Sequence, residues 1–138
     1  MVNTLNMQDM RHLNLFNKIT RVNTRLCSTY NDALLFFVPR RFVSKAIGPE
    51  GANIKKINYI LRKKVKVIPS PKGVEDAKKF IEAIVSPVTF KDLEVTDEEI
   101  ILTAGSQSKA ALIGRNKRRL IEMQKIVSDF FKRDFRIV

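Results

Sequence analysis

Hydrophobic residues recur along this chain with two different periods, and each change of period predicts a new element of secondary structure. Met10, Leu13 and Phe16 are three residues apart, which is the spacing of one helix face. Residues 22–29 alternate with a period of two, as a half-buried strand does, and 34–38 is a short apolar run typical of a buried strand. The first half therefore predicts a helix, two strands, two helices and a strand. The expected ranges are 7–19, 22–29, 34–38, 41–47, 52–64 and 65–68.

The same order of elements returns when the sequence is shifted by 66 residues. Ile47-Gly48 then falls on Ile113-Gly114, and apolar positions fall on apolar positions in the flanking segments. The likeness lies more in pattern than in identity, but it extends through every element. In the second half the expected ranges are 75–85, 88–95, 99–103, 106–113, 117–131 and 135–138.

A cluster of two prolines and a glycine at 69–73 lies between the two halves. We therefore predict two tandem domains, 1–70 and 71–138. Each is expected to be an α+β module in the order α-β-β-α-α-β, with helices packed on one face of a three-stranded sheet.

Two glycines three positions apart lie between the fourth and fifth predicted elements of the first half. Gly48 and Gly51 lack a Cβ, so the chain can turn sharply there and a phosphate can approach the peptide closely. The next helix directs its free N–H groups and positive dipole end at the same point. Lys55 and Lys56 follow at once, where cations oppose the dipole, and phosphate contact explains that placement. A plain turn with a solvated basic face is the competing interpretation.

The charge of the chain favours a polyanionic partner. The 138 residues carry a formal net charge of +12, and the sequence pI is about 10.1. Residues 1–70 hold 13 basic and 3 acidic residues, whereas 71–138 hold 13 and 11. If both halves bind nucleic acid, the first is expected to dominate the electrostatics.

Other classes of protein find little support in the sequence. The single cysteine, Cys27, permits no intrachain disulfide and suits a reducing compartment. The longest apolar run, 33–38, is too short to cross a bilayer and no signal-peptide pattern opens the chain, so we expect a cytoplasmic protein without a membrane partner. His12 is the one histidine, and no metal-ligand spacing or activated nucleophile is present. We therefore expect no enzyme, no cofactor and no small-molecule substrate.

The helix, glycine loop and helix resemble the type II KH domain, whose G-x-x-G loop clamps a nucleic-acid backbone. Two such modules in tandem are similar to the archaeal NusA-like transcription termination/antitermination factors, over about residues 5–138. The segments that carry the resemblance are Leu15-Phe16, 34–38, 45–55, 64–68 and 111–117.

This resemblance implies that the paired KH modules bind single-stranded RNA as one platform. It also implies an action on termination or antitermination through RNA polymerase. The chain resembles the short form of the family, without the S1 and polymerase-binding domains of the bacterial relative.

Two positions depart from the family pattern. Glu50 lies in the loop interior, where the family often has a basic residue, and its carboxylate would repel a phosphate unless it points away. Lys117 replaces the closing glycine of the second loop, so loop 114–117 is degenerate and the Cβ of Lys117 is expected to hinder close approach. Positive charge around that loop is expected to compensate for the lost close approach of the nucleic-acid backbone, although charge alone holds the backbone with lower geometric specificity. The basic residues there are Lys109, Arg115, Lys117, Arg118 and Arg119.

The predicted RNA-binding residues are those of the two loops and their flanks. In the first half they are Lys45, Ile47, Gly48, Pro49, Glu50, Gly51, Ala52, Asn53, Ile54, Lys55 and Lys56. In the second half they are Ile113, Gly114, Arg115, Asn116, Lys117, Arg118 and Arg119. Tyr59 shares a helix face with Lys55 and Arg62, and we interpret it as a half-exposed packing residue in preference to a base-stacking one.

Two alternative functions stay open at this point. One is a ribosome-associated or rRNA-maturation protein that uses similar KH modules on folded RNA. The other is a protein-interaction adaptor derived from KH modules, for which Glu50 and Lys117 are the best support. The acidic stretch 92–99 is interpreted as a solvated sheet edge in preference to a docking surface for polymerase. The sequence does not distinguish single-stranded RNA from single-stranded DNA.

Overall fold

The computed structural model describes residues 6–138, which divide into two compact units between Ser70 and Pro71. The first five residues of the predicted domain 1–70 lie outside the described residues. Both units contain helices and one three-stranded sheet, so the predicted α+β class is confirmed. In the first unit the elements are α1 (Met7–Thr20), β1 (Leu26–Tyr30), β2 (Ala33–Val38), α2 (Val43–Ile47), α3 (Ala52–Leu61) and β3 (Lys64–Pro69).

The sheet of the first unit has the order β1-β2-β3, with β1 antiparallel and β3 parallel to the central strand. All six residues of β2 are buried. Leu34, Phe36 and Val38 alternate along β2, so they lie on one face of the sheet, and they share a core with residues of the three helices. The helical members of this core include Leu13, Phe16, Ala46 and Ile57. The core thus fixes α2 and α3, which flank the glycine loop, against the same sheet.

The second unit repeats this order. Its elements are α4 (Ala77–Val85), β4 (Asp92–Val95), β5 (Glu99–Thr103), α5 (Ser106–Ile113), α6 (Arg118–Phe131) and β6 (Asp134–Ile137). Again the outer strand β4 is antiparallel and β6 is parallel to the central strand β5. None of the helices within residues 6–138 is long and apolar enough to cross a membrane.

Both outer strands begin later than the sequence predicts. Residues 22–25 are not a strand, because the backbone of Thr24 is bonded instead to the side chain of Asn17. The amide oxygen of Asn17 accepts from the Thr24 N–H at 2.9 Å, and its nitrogen donates to the Thr24 carbonyl at 3.1 Å. In the second unit the Val88 N–H donates to the Val85 carbonyl at 2.9 Å, so this segment turns before β4 begins. The alternation over 22–25 therefore reflects burial of Val22 and Thr24 without strand pairing, whereas residues 26–29 belong to β1 as predicted.

The repeat offset of 66 residues holds through the loops and then changes to 70. The cause is α6, which has 14 residues where α3 has 10, a difference of about one helical turn. The strand register nevertheless agrees, since Ala33 pairs with Lys64 and Glu99 pairs with Asp134. The extra turn thus lengthens the helix without changing the order or pairing of the strands. The predicted helix 52–64 likewise ends early, at Leu61, because Arg62 adopts the left-handed conformation.

Candidate nucleic-acid interface

The first glycine loop makes a tight turn with positive φ angles. Gly48 has φ 81° and ψ 168°, a region that essentially only glycine occupies. Glu50 and Gly51 both adopt the left-handed conformation, with φ 54° and φ 74°. A Cβ added to Gly48 would lie 3.0 Å from the side chain of Asn53, whereas a Cβ on Gly51 would meet only Lys55 Cε at 4.0 Å. The first glycine is therefore required by the fold, and the second leaves open space.

The second loop adopts the same backbone conformation although it lacks the closing glycine. Gly114 has φ 75° and ψ 173°, and Asn116 has φ 56°, close to the values of Gly48 and Glu50. Lys117 takes up the left-handed conformation at φ 60° and ψ 22°. The loop that the sequence marks as degenerate therefore retains the turn, with a lysine held in a conformation that costs a non-glycine residue about 1–2 kcal/mol.

A side-chain hydrogen bond closes each loop at corresponding positions. Asn53 Nδ2 donates to the Lys45 carbonyl at 3.2 Å, and a guanidinium nitrogen of Arg119 donates to the Ala111 carbonyl at 2.8 Å. In both units this bond joins the first turn of the helix after the loop to the helix before it. The sequence analysis counted Asn53 and Arg119 among the RNA contacts and missed this structural role. No sequence signal marked it, because the acceptors are backbone carbonyls and the two donors are different residue types.

The predicted site residues of the first unit surround its loop. Lys45, Lys55 and Lys56 are exposed, so their ammonium groups can meet a phosphate. The loop tip is also exposed, and it presents Pro49, Glu50 and, at the start of α3, Ala52. The remaining residues, Ile47, Gly48, Gly51, Asn53 and Ile54, are partly buried. The apolar flanks thus face partly inward while the cations face solvent.

In the second unit the cations lie in the loop itself. Arg115, Asn116, Lys117 and Arg118 are exposed, whereas Ile113, Gly114 and Arg119 are partly buried. Beside this loop is an open cavity of about 440 Å³. It is lined by Arg115, Asn116, Arg118, Ile121 and Glu122. Arg118 lies 4.0 Å from Glu122, so part of the cationic charge is balanced at the cavity wall.

His12, the single histidine, is buried in α1 and lies 3.2 Å from the side-chain nitrogen of Gln8. Burial lowers the pKa of His12 below 6.5; Lys63 lowers it further, while Asp9 acts in the opposite direction. Within residues 6–138, no three His, Cys, Asp or Glu side chains group as metal ligands would. His12 therefore belongs to the interior of the first unit and not to the loop surface.

Replacing Lys117 with glycine is expected to raise the free energy of unfolding by about 0.5–1 kcal/mol. Glycine adopts the left-handed conformation without the steric cost of a Cβ, although the more flexible unfolded chain offsets part of the gain. Urea unfolding followed by circular dichroism measures this change. Lys125→Gly, at an exposed position inside α6, is the control and is expected to lose about 1 kcal/mol. Loss of stability in both variants would contradict the strained conformation of Lys117.

The fold and the loops together define a class: an α+β protein with two basic helix–loop–helix sites of the same backbone conformation. No protein-family profile matches the chain. It is similar to a protein named "Probable transcription termination protein NusA" from Methanococcus vannielii, with 28% identity over 114 residues. That match covers 80% of this chain and 64% of the relative, so it spans less than two thirds of the relative's length.

A protein of the same name from Halococcus morrhuae is 24% identical over 135 residues, covering 91% of this chain and 95% of the relative. The chain is thus similar to archaeal proteins named NusA, which confirms the resemblance found in the sequence. The solved structure titled "Crystal structure of APE1850" matches with a TM-score of 0.65 and 21% identity. The match covers 97% of this chain and 99% of the chain in that solved structure. At 21% identity the likeness concerns the fold alone.

Proposed function

We propose that this protein is a non-enzymatic, single-stranded RNA-binding transcription factor built from two tandem type II KH domains, 1–70 and 71–138. The observation that carries the proposal is the same glycine-initiated turn in both units, each flanked by exposed cations. Such a turn exposes backbone N–H groups to a phosphate, and the cations release counterions when a polynucleotide binds. The similarity to proteins named for transcription termination supports the role in transcription.

We further propose that the two loops contribute differently. The first loop allows close approach of a phosphate, because Gly51 has no Cβ and open space around it. The second loop places Arg115, Lys117 and Arg118 at the tip, so it attracts the backbone through charge. RNA polymerase is the expected protein partner, and termination or antitermination is the expected outcome of binding.

Fluorescence anisotropy with a labelled, mixed-sequence single-stranded RNA tests the binding proposal. For a protein that contacts about 5 phosphates, a plot of log affinity against log salt concentration should have a slope of roughly −3 to −4. The affinity should therefore fall about 100-fold between about 50 and 200 mM salt. Arg115→Ala/Lys117→Ala should reduce that slope by about 1.4, because two phosphate contacts are lost. Gly51→Asp should weaken binding without removing a cation.

The matched control is Lys78→Ala/Lys79→Ala, which removes the same charge from exposed positions on α4. The proposal predicts a smaller loss for this control than for the loop variants. If the two loop variants weaken binding no more than the control does, the loops are not the RNA site. In that case the adaptor interpretation, with partner binding but no RNA contact, takes its place.

The transcription role needs a separate measurement. Purified protein added to an archaeal transcription reaction should change the fraction of transcripts that end at a terminator, and Gly51→Asp should reduce that change. Co-sedimentation with ribosomal subunits, together with no effect on transcription, would instead favour the ribosome-associated function.

A further inference from the structure

The outward face of α3 carries an exposed tyrosine within a row of cations. Tyr59 is 78% exposed, so it is not the half-exposed packing residue that the sequence suggested. Lys55 and Lys56 are exposed as well, and they lie four and three residues before Tyr59, which places them on the same side of α3. Arg62 and Lys63 are also exposed, and they follow directly after the last residue of the helix. Residues 52–66 contain six basic residues and no acidic one.

This face is contiguous with the first glycine loop. The Cε of Lys55 lies 4.0 Å from the position that a Cβ on Gly51 would occupy, so the lysine folds back towards the loop. From Ala52 to Leu61 the helix rises by about 14 Å. A polynucleotide that was held at the loop and ran along α3 would therefore meet further cations and an aromatic ring.

The corresponding helix of the second unit shows that the fold does not require these residues. The inward positions agree, since Ile57 and Met123 are both buried. At the outward positions of α6, however, Ile121 and Glu122 replace Lys55 and Lys56, and Lys125 replaces Tyr59. Arg62 and Lys63, which follow α3, correspond to Lys132 and Arg133 after α6, so the basic character there is common to both units. The basic and aromatic face is a property of the first unit and calls for an explanation of its own.

We propose that the outward face of α3 is a second contact surface for single-stranded RNA, on which an unpaired base stacks against Tyr59 while the surrounding cations hold phosphates. The inference rests on the proposed function, because it extends the RNA path from the loop. Bases stack on exposed aromatic rings whatever their sequence, and cations along the same track hold the backbone. The complementary charge and the ring together fit a single strand, whose bases are free, better than a duplex, whose bases are paired.

Intrinsic fluorescence provides a direct probe, because the protein has two tyrosines and no tryptophan. Tyr30 is only 5% exposed, so quenching by added RNA reports on Tyr59. Unlabelled single-stranded RNA of about 12 nucleotides should quench the emission of the wild type. Tyr59→Phe should bind this RNA with an affinity within about twofold of the wild type, because a phenylalanine ring still stacks on a base. Its emission should not be quenched by RNA, because the phenol that emits has been removed. N-acetyltyrosinamide, titrated in parallel, corrects for absorption by the RNA.

Affinity measurements separate the stacking contact from the loop contact. Tyr59→Ala should weaken binding of the RNA of about 12 nucleotides by about 5- to 100-fold. It should leave an RNA of about 4 nucleotides unaffected, because the loop alone clamps about that length. Lys125→Ala, at the position of α6 that corresponds to Tyr59, is the control and should change the affinity for neither RNA. Unchanged urea unfolding of Tyr59→Ala confirms that the variant is folded, as expected for an exposed position.

The outcomes distinguish this inference from the proposed function. If Gly51→Asp weakens binding but Tyr59→Ala does not, and RNA leaves the tyrosine emission unchanged, the proposed RNA contact on α3 is wrong. The proposed RNA site at the loop is then still supported. If the wild type binds no single-stranded RNA at low salt, both are overturned. Equal quenching by duplex RNA would also overturn base stacking on Tyr59.

Discussion

Replacing Gly48 with aspartate is expected to destabilise the first unit by about 2–4 kcal/mol and to weaken single-stranded RNA binding by more than tenfold. The backbone of Gly48 lies at φ 81° and ψ 168°, where a residue with a Cβ pays about 1–3 kcal/mol. The new Cβ would also lie 3.0 Å from the side chain of Asn53. Displacing Asn53 breaks its hydrogen bond to the Lys45 carbonyl, at a cost of about 0.5–1.5 kcal/mol.

Gly51→Asp is the informative comparison, because it adds the same charge three residues away. Gly51 has the left-handed conformation, which aspartate adopts more readily than most residues do. A Cβ at this position would meet only Lys55 Cε, at 4.0 Å. We expect it to cost about 1–2 kcal/mol of stability and still to weaken RNA binding. Urea unfolding and RNA anisotropy on both variants measure the two effects. Equal loss of stability from the two substitutions would contradict the distinct roles of the glycines.

Gly114→Asp tests whether the second loop obeys the same rule. A Cβ on Gly114 would lie 2.9 Å from Arg119 Cγ, and the glycine has φ 75°. The expected loss of stability is therefore similar to that of Gly48→Asp. A much smaller loss would mean that the second loop relaxes where the first cannot.

Phe16→Ala is expected to lower the free energy of unfolding by about 3–5 kcal/mol, the largest effect on stability that we predict. Phe16 is fully buried and stacks on Phe36 of β2, with ring centroids 4.2 Å apart and an interplanar angle of 10°. Alanine removes this ring pair and leaves a cavity between α1 and the sheet. Urea or thermal unfolding measures the loss. Met10→Ala, at a position on α1 that is 53% exposed, is the control and should change stability by no more than about 0.5 kcal/mol.

The same substitution is also expected to reduce RNA binding, through the support of the loop. Phe16 shares its core with Ala46 of α2 and Ile57 of α3, the helices on either side of the first glycine loop. Loss of that core should let these helices shift and broaden the loop conformations. A destabilisation below about 1.5 kcal/mol would contradict the central place of Phe16 in the packing.

Much of the local structure could be predicted from the sequence, because it depends on nearby residues. The helical spacing around Leu13 and the apolar run of β2 identified both elements, and Gly48 and Gly51 marked the turn. Outer-strand boundaries were less accurate, since the side chain of Asn17, seven residues before Thr24 and on α1, bonds to the backbone of Thr24. The assignment of the units as KH domains and the RNA contacts stay predictions.

The candidate sites show where local reasoning fails. Lys117 was expected to hinder close approach of a phosphate to the second loop, and this stays a prediction. The sequence did not show that the backbone of Lys117 adopts the same left-handed conformation as that of Gly51. The interpretation of Tyr59 as a packing residue is wrong, since no spacing rule in a short helix distinguishes a half-exposed tyrosine from one that projects into solvent. The roles of Asn53 and Arg119 in closing the loops depend on carbonyls eight residues away.

The sequence by itself determined the order of elements, the position of both glycine turns and the uneven distribution of charge between the halves. These properties follow from side-chain periodicity, from the absence of a Cβ and from composition, which need no knowledge of distant contacts. Only the tertiary structure decided that a lysine occupies a glycine-like conformation and that Tyr59 on α3 projects into solvent. Those features arise when packing fixes the helices and thereby determines which side chains are buried and which face solvent.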